Sequence, residues 1–494
     1  MNSINTISSL MVRSFITKIL IGLLPIFIFS CESEENTNPA LITEEVIYLS
    51  GERVRIMARV VTNQEINATD HGFYIGENEN FSTPIIVSLG QKATPGRFIG
   101  EHAGLKTEST YFAKAFLTIN GSQTFSNTIS FQTLSTNLFD IVPNNGKAGT
   151  IVEIFGKNFT SDTRVFFGSN EAEVIGISFE SKIRVRVPLA SGSSLESVKI
   201  ISQNKEIESS LTFEYTSGIY RRIEGTFPVP KLYDNIHFQI NDNFYVGLGT
   251  GVNPSLLNPK IWRYEHSAKD WEETSYQGGG RDRAFSAGSY FGGGTVSNLI
   301  SLDLWKVEQG NFLQLPNLPF QMVNSIAFIL NHTLYVVGGS IGSGRQIYRY
   351  DAVTGNWELK GVLPFGVRKN NTFHFGTGEK HFFIDHETKE IFSFNGNHDD
   401  ISKVGNYPGA LTEERGFAVI LNNKAYMGLS ARSNKVYELD LTDLSWKEKN
   451  EYPGITIAET IGVFTKGDLI YLLRSPARAS SQVIEFWEFD PMGF

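Results

Sequence analysis

The chain has 494 residues, 41% of them hydrophobic and 12% aromatic, with 46 glycines and 37 phenylalanines, and that length is too great for one ordinary domain. Its 52 acidic residues outweigh 43 basic ones for a net charge of −9, which argues against a nucleic-acid partner, since that would need a clustered basic face. No long amphipathic helical run is visible, and Gly and aromatic usage point to strands and turns.

Residues 1–30 read as a leader. Arg13 and Lys18 precede an apolar run, Ile19 to Phe29, which is too short to span a bilayer. The run ends Ile28-Phe29-Ser30-Cys31, which resembles a bacterial lipobox. That resemblance implies cleavage before Cys31 and acylation of it, holding the protein at a membrane surface without a transmembrane helix. Cys31 is the single cysteine, so no intramolecular disulfide forms. Loss of the leader removes two cations and takes the net charge from −9 to −11. Residues 31–40 begin Cys31-Glu32-Ser33-Glu34-Glu35, an acidic tether that is similar to the export signal of Bacteroidetes-type surface lipoproteins. It implies a lipid-anchored, surface-exposed outer-membrane protein; whether the chain faces the periplasm or the exterior stays open.

Residues 41–134 read as a first β-sandwich. Val54 to Val61 alternates apolar and charged residues, as a half-buried strand does. The stretch Leu105 to Ala115 resembles the corner of fibronectin type III domains, which implies a structural role for Tyr111. Residues 138–216 form a second sandwich. Ile141-Val142-Pro143, Val152 to Phe159, Val165-Phe166-Phe167-Gly168 and Ile183 to Pro188 resemble the IPT/TIG immunoglobulin-like family. Such domains in exported proteins serve as spacers.

Residues 219–494 repeat one pattern. The cleanest copy is Asn331 to Gly339, then Ile347-Tyr348-Arg349-Tyr350-Asp351, then Gly355-Asn356-Trp357. Markers at Trp271, Phe312, Trp357, Ile401 and Trp446 are 41, 45, 44 and 45 residues apart. A period in the forties with four short strands is that of a propeller blade. The sixth copy stops after Glu485 to Phe489, so its fourth strand is expected from Ile219 to Ile223, which closes the ring without a free edge. The Gly-Gly pair, the third-strand aromatic and the fourth-strand Trp resemble the kelch repeat family. The expected fold is all-β: two immunoglobulin-like β-sandwiches followed by a six-bladed kelch-like β-propeller.

No motif commits the chain to catalysis. Gly338-Gly339-Ser340-Ile341-Gly342 fits G-x-S-x-G on paper, but a nucleophile elbow runs from strand into helix, and here the context is strand, loop, strand. His374, His381 and His386 are close in sequence, and surface histidines are the default reading, so no metal is assigned. Dinucleotide and phosphate-loop motifs are absent, and no cofactor is expected. The loop positions of the propeller instead carry Tyr233, Tyr276, Arg281, Arg283, Tyr290, Phe291, Arg345, Arg368, Tyr407, Arg415, Arg432, Arg474 and Arg478. Arginine offers paired donors to carboxylates or vicinal hydroxyls, and tyrosine offers a flat face for a sugar ring. Ringed around a shallow mouth these would bind an oligosaccharide, an acidic one above all. The same arginines at the start of a first strand also fit a purely structural role. The expected partner is therefore a glycan or a cell-surface protein. Kelch-like propellers also include sugar epimerases and oxidases. The lone cysteine excludes the cysteine–tyrosine crosslink such oxidases need, and an epimerase-like activity stays as the alternative.

Overall fold

Val54, Ile56, Ala58 and Val60 are all buried while Arg55 and Val61 are exposed, so the alternation in Val54–Val61 builds a strand with one face inward. In the computed structural model the described residues are 39–494 apart from 208, 341–343, 370, 398–399, 412–415 and 431. The leader, Cys31, nearly all of the tether and Arg415 lie outside them. No α-helix occurs among the described residues.

The N-terminal unit is a two-sheet sandwich. Ala40–Leu49, Val54–Val61 and Gly96–His102 form one sheet. Ala68–Gly76 and Thr110–Ile119 are central in the other, flanked by three short strands. Phe73 meets Phe98 across the layers with ring centres 5.3 Å apart. Tyr111 is buried and stacks on Phe131, in keeping with a structural role.

The second unit comprises Ser50–Glu52, Gly104–Glu108 and Leu134–Phe494, and so holds both the 138–216 sandwich and the propeller. Inward residues of the sandwich alternate along its strands: Val152 and Ile154, Ile183 and Val185, Val198 and Ile200. They close around Phe167 and Phe213. At its exit Thr216 and Gly218 are tied to Asn450 of the propeller.

Six four-stranded antiparallel sheets follow. Their inner strands are Ile236–Ile240, Phe285–Ala287, Ile326–Leu330, His374–Gly376, Phe417–Leu421 and Ala458–Lys466, and each touches the next, with the last returning to the first. The ring is closed. Its sixth sheet takes its outer strand from Ile219–Arg222, paired with Glu485–Asp490 in the register Tyr220 to Phe489. The expected fold class is thus the observed one. The marker residues open fourth strands opposite third-strand side chains, as Tyr264 with Trp271 and Tyr350 with Trp357. Apolar layers fill the spaces between neighbouring sheets, for example Ile236, Phe238 and Tyr245 of the first against Phe291 and Val307 of the second.

The glycines after the second strand have a specific duty. Gly249, Gly294 and Gly339 all have positive φ, and a Cβ on them would lie 2.2–2.3 Å from the carbonyl oxygens of Tyr233, Asp282 and Val323. Each donates its N–H to the segment leading into the next blade, at Arg281, Met322 and Val367. A side chain there would collide with the segment that enters the first strand of the same blade. Gly339→Ala is expected to cost about 3 kcal/mol or more in a urea melt, against about 1 kcal/mol for Gly310→Ala, where φ is also positive but the space is open. Equal losses would show that backbone strain alone matters and that the close approach does not.

Candidate functional site

Because all six inner strands run the same way through antiparallel meanders, the blade-to-blade connections and the second-to-third-strand loops share one end of the ring. That end is where the sequence put its binding residues, and their positions divide into three groups.

The first group is buried. Arg281 is 1% exposed: it pairs with Asp303 at 2.8 Å and donates to Ser301 and to the Gly293 carbonyl. Arg474 lies inside the strand Leu469–Pro476, fully buried, and donates to Thr460 and the Thr456 carbonyl. Tyr233 is buried with its hydroxyl donating to the Pro476 carbonyl and Arg478 laid over its ring at 3.9 Å. Tyr276 and Tyr407 sit in the layers between blades, against Phe291, Trp305 and Phe312 in one case and Phe373, Tyr437 and Trp446 in the other. Phe291 is core as well. These residues fasten the ring rather than line its surface, which corrects the expectation for Tyr233, Tyr276, Arg281, Tyr407, Arg474 and Phe291. The sequence carried a signal for the tyrosines. Tyr276, Tyr407 and Tyr452 each precede a glycine by two positions (Gly278, Gly409 and Gly454), and a Cβ on that glycine would overlap the tyrosine's own ring.

A second correction concerns Tyr290. It opens the strand Tyr290–Gly292 after the first turn of its blade, so it belongs to the opposite end of the ring, beside Tyr350 and Lys306.

The third group stays at the loop end. Arg283 is half-buried, bonded to Asp282 and Thr295, and its own N–H joins a chain of backbone bonds around the mouth: Arg283 to Asp234, Asn324 to Arg283, Lys369 to Asn324. Arg432 is exposed. Arg345 and Arg368 are exposed, and their guanidinium groups make no hydrogen bond or ion pair among the described residues. Arg415 is outside the described residues.

What the sequence did not reveal is the axial cavity, about 160 Å³, which opens among the beginnings of the inner strands. Asn235, Ser325, Lys369, Asn371, His374 and Thr460 contribute its polar wall. The Lys369 ammonium reaches the carbonyl oxygens of Asn235 (2.6 Å) and Ala284, so a blade-four cation is held against blades one and two. A small polar residue at the start of one inner strand after another was the available clue. The histidines are a further correction: His374 and His381 are not at the outer surface but face each other, with His374 Nδ1 3.1 Å from His381 Nε2. Burial, helped by the charge of Lys369, brings the His374 pKa down to about 4, so its ring is neutral. Among the described residues no group of three His, Cys, Asp or Glu side chains gathers as a metal site would require. Ser340 acts as a fastener, accepting from the Val323 N–H and donating to the Gln321 carbonyl.

Residues 139–215 match the IPT/TIG domain family. That span agrees with the 138–216 expected. A comparison with curated protein sequences gives no match. Among solved structures, the chain is similar to YjhT at 17% identity over 53% of this chain and 95% of that one, with a TM-score of 0.42. It is also similar to an auxiliary nutrient binding protein from Bacteroides thetaiotaomicron VPI-5482, at 12% identity over 72% and 97% of the two chains, TM-score 0.37. A structural genomics protein of unknown function from the same organism is 13% identical over 72% and 98%, TM-score 0.26.

Proposed function

We propose that the protein is a lipid-anchored binding protein of the outer membrane, displayed at the cell surface, and that the loop end of its kelch-like propeller recognises a glycan. The observation that carries this reading is the pair Arg345 and Arg368, two exposed guanidinium groups without partners among the described residues, on a second-to-third-strand loop and a blade-to-blade connection of the loop end. Guanidinium forks suit vicinal hydroxyls and carboxylates, and a guanidinium is more weakly hydrated than an ammonium, so it costs less to desolvate on binding. The fibronectin type III-like and IPT/TIG sandwiches serve as spacers between the anchor at Cys31 and the propeller. The glycine pairs that join the blades support the kelch likeness.

The test is a calorimetric screen of the mature chain against neutral and acidic oligosaccharides. A ligand is expected among the acidic ones, and Arg345→Ala and Arg368→Ala are each expected to weaken it about tenfold, near 1.4 kcal/mol, with thermal midpoints unchanged. A screen without any ligand, or full affinity in both variants, refutes the reading. Chromatographic analysis of the bound sugar distinguishes capture from turnover.

A further inference from the structure

One proton is shared between His374 Nδ1 and His381 Nε2, and the surroundings say on which side it rests. His381 Nδ1 is buried without a partner among the described residues, and its ring lies stacked on Phe328 at 3.9 Å. A buried N–H lacking an acceptor is rarer and costlier than a bare lone pair, so Nδ1 of His381 is the unprotonated nitrogen. Its proton is then on Nε2, donated to His374 Nδ1. A neutral His374 must therefore carry its own proton on Nε2. That nitrogen makes no hydrogen bond to any described residue, and the ring lines the axial cavity. Asn371 lines the same cavity. Its side-chain oxygen accepts from Thr372, while its amide nitrogen makes no hydrogen bond to a described residue. The cavity wall thus carries two donors without a described acceptor, one of them within the field of the Lys369 charge, and no carboxylate is among its described lining residues.

We propose that this axial cavity is a binding site for a single carboxylate group, received by His374 Nε2–H and the Asn371 amide. A carboxylate only accepts hydrogen bonds, which matches donors that have no acceptor of their own. At about 160 Å³ the space falls below the roughly 300 Å³ of pockets that enclose whole ligands, so it takes an end group or a compact acid. The site does not depend on the rim arginines: it stands or falls separately from glycan recognition at Arg345 and Arg368.

The experiment uses the mature chain and three probes, acetate, D-glucuronate and D-glucose, the last two differing only in the oxidation of one carbon. Binding is read by calorimetry and by the ¹⁵N side-chain resonances of His374. Both acids are expected to bind at millimolar concentration and to shift the His374 Nε2 signal, and glucose to do neither. His374→Phe and Asn371→Ala are each expected to weaken the acids about tenfold, and His374→Gln, which keeps a donor, to retain most of the affinity. Asn371→Ala leaves the histidine pair in place, so its loss is not a folding defect. Arg368→Ala is expected to leave acetate binding unchanged. Absence of acid binding, glucose binding as tightly as glucuronate, binding without a His374 shift, or undiminished affinity in both variants overturns the proposal.

Discussion

Glu438→Leu is expected to destabilise the propeller by about 3–5 kcal/mol, because it leaves a buried lysine without its counter-charge. Glu438 is 3% exposed and accepts from Lys424 and from Lys449, the latter at 2.8 Å. Lys449 is itself buried and also donates to Ser217, in the segment entering the ring. The loss should therefore be recovered in large part by Glu438→Leu with Lys449→Met, where neither charge is left in the interior. Urea melts of both variants decide it; a double variant no better than the single one shows that the defect is packing and not charge. The same carboxylate gives a pH signature. Burial alone would raise its pKa, but the hydrogen bonds from Lys424 and Lys449 outweigh it and hold the folded value below the ordinary 4.5. A folded pKa below the unfolded one means stability present above the unfolded value and lost as pH falls through the folded one. The gap between wild type and Glu438→Leu should accordingly be constant near neutrality and narrow below about pH 4.5.

The closing seam supplies the second large effect. Tyr220 stacks on Phe489 with ring centres 4.4 Å apart and planes within 9°, and meets Tyr452 edge-on at 5.5 Å. Tyr220→Ala is expected to cost about 3 kcal/mol through the void it leaves. The effect should concentrate in amide exchange along Glu485–Asp490, the strand that Ile219–Arg222 covers. Tyr220→Phe should act the other way. The hydroxyl is buried with no hydrogen-bond partner among the described residues, and burial pushes its pKa well up, so its removal is expected to be neutral or to stabilise by up to about 1 kcal/mol. Unaltered exchange in Tyr220→Ala would mean the ring is held shut by the backbone ladder alone, and a destabilised Tyr220→Phe would mean that the hydroxyl has a partner after all.

The architecture was readable because its causes are local and periodic. Alternation in Val54–Val61, the Gly-Gly pair at 338–339 and the spacing of Trp271, Trp357 and Trp446 each reflect a side chain's duty within its own sheet. Arg281 and Tyr276 show where this stops. A polar residue in a blade connection reads as exposed, but whether it faces water or the neighbouring blade depends on what that blade brings, here Asp303 and Ser301 for the arginine and Trp305 for the tyrosine. Tyr290 was misplaced by a shift of one strand, enough to move it to the far end of the ring. Lys369 had no local mark, since its partners Asn235 and Ala284 come from just before the first strands of distant blades, and the closeness of His374 and His381 in sequence did not show that they face each other across a hairpin.

By itself the chain's order of residues determined the strand content, the six-fold repeat, the borrowed outer strand and the IPT/TIG sandwich, since hydrophobic period and turn chemistry act between near neighbours. Only the tertiary structure decided which arginines are fasteners and which lie exposed at the loop end, and that the ring's axis holds a neutral histidine pair beside a lysine. The physical reason is that burial and pairing of a charge are set by groups tens to hundreds of residues away, such as the 134 that separate Asn235 from Lys369.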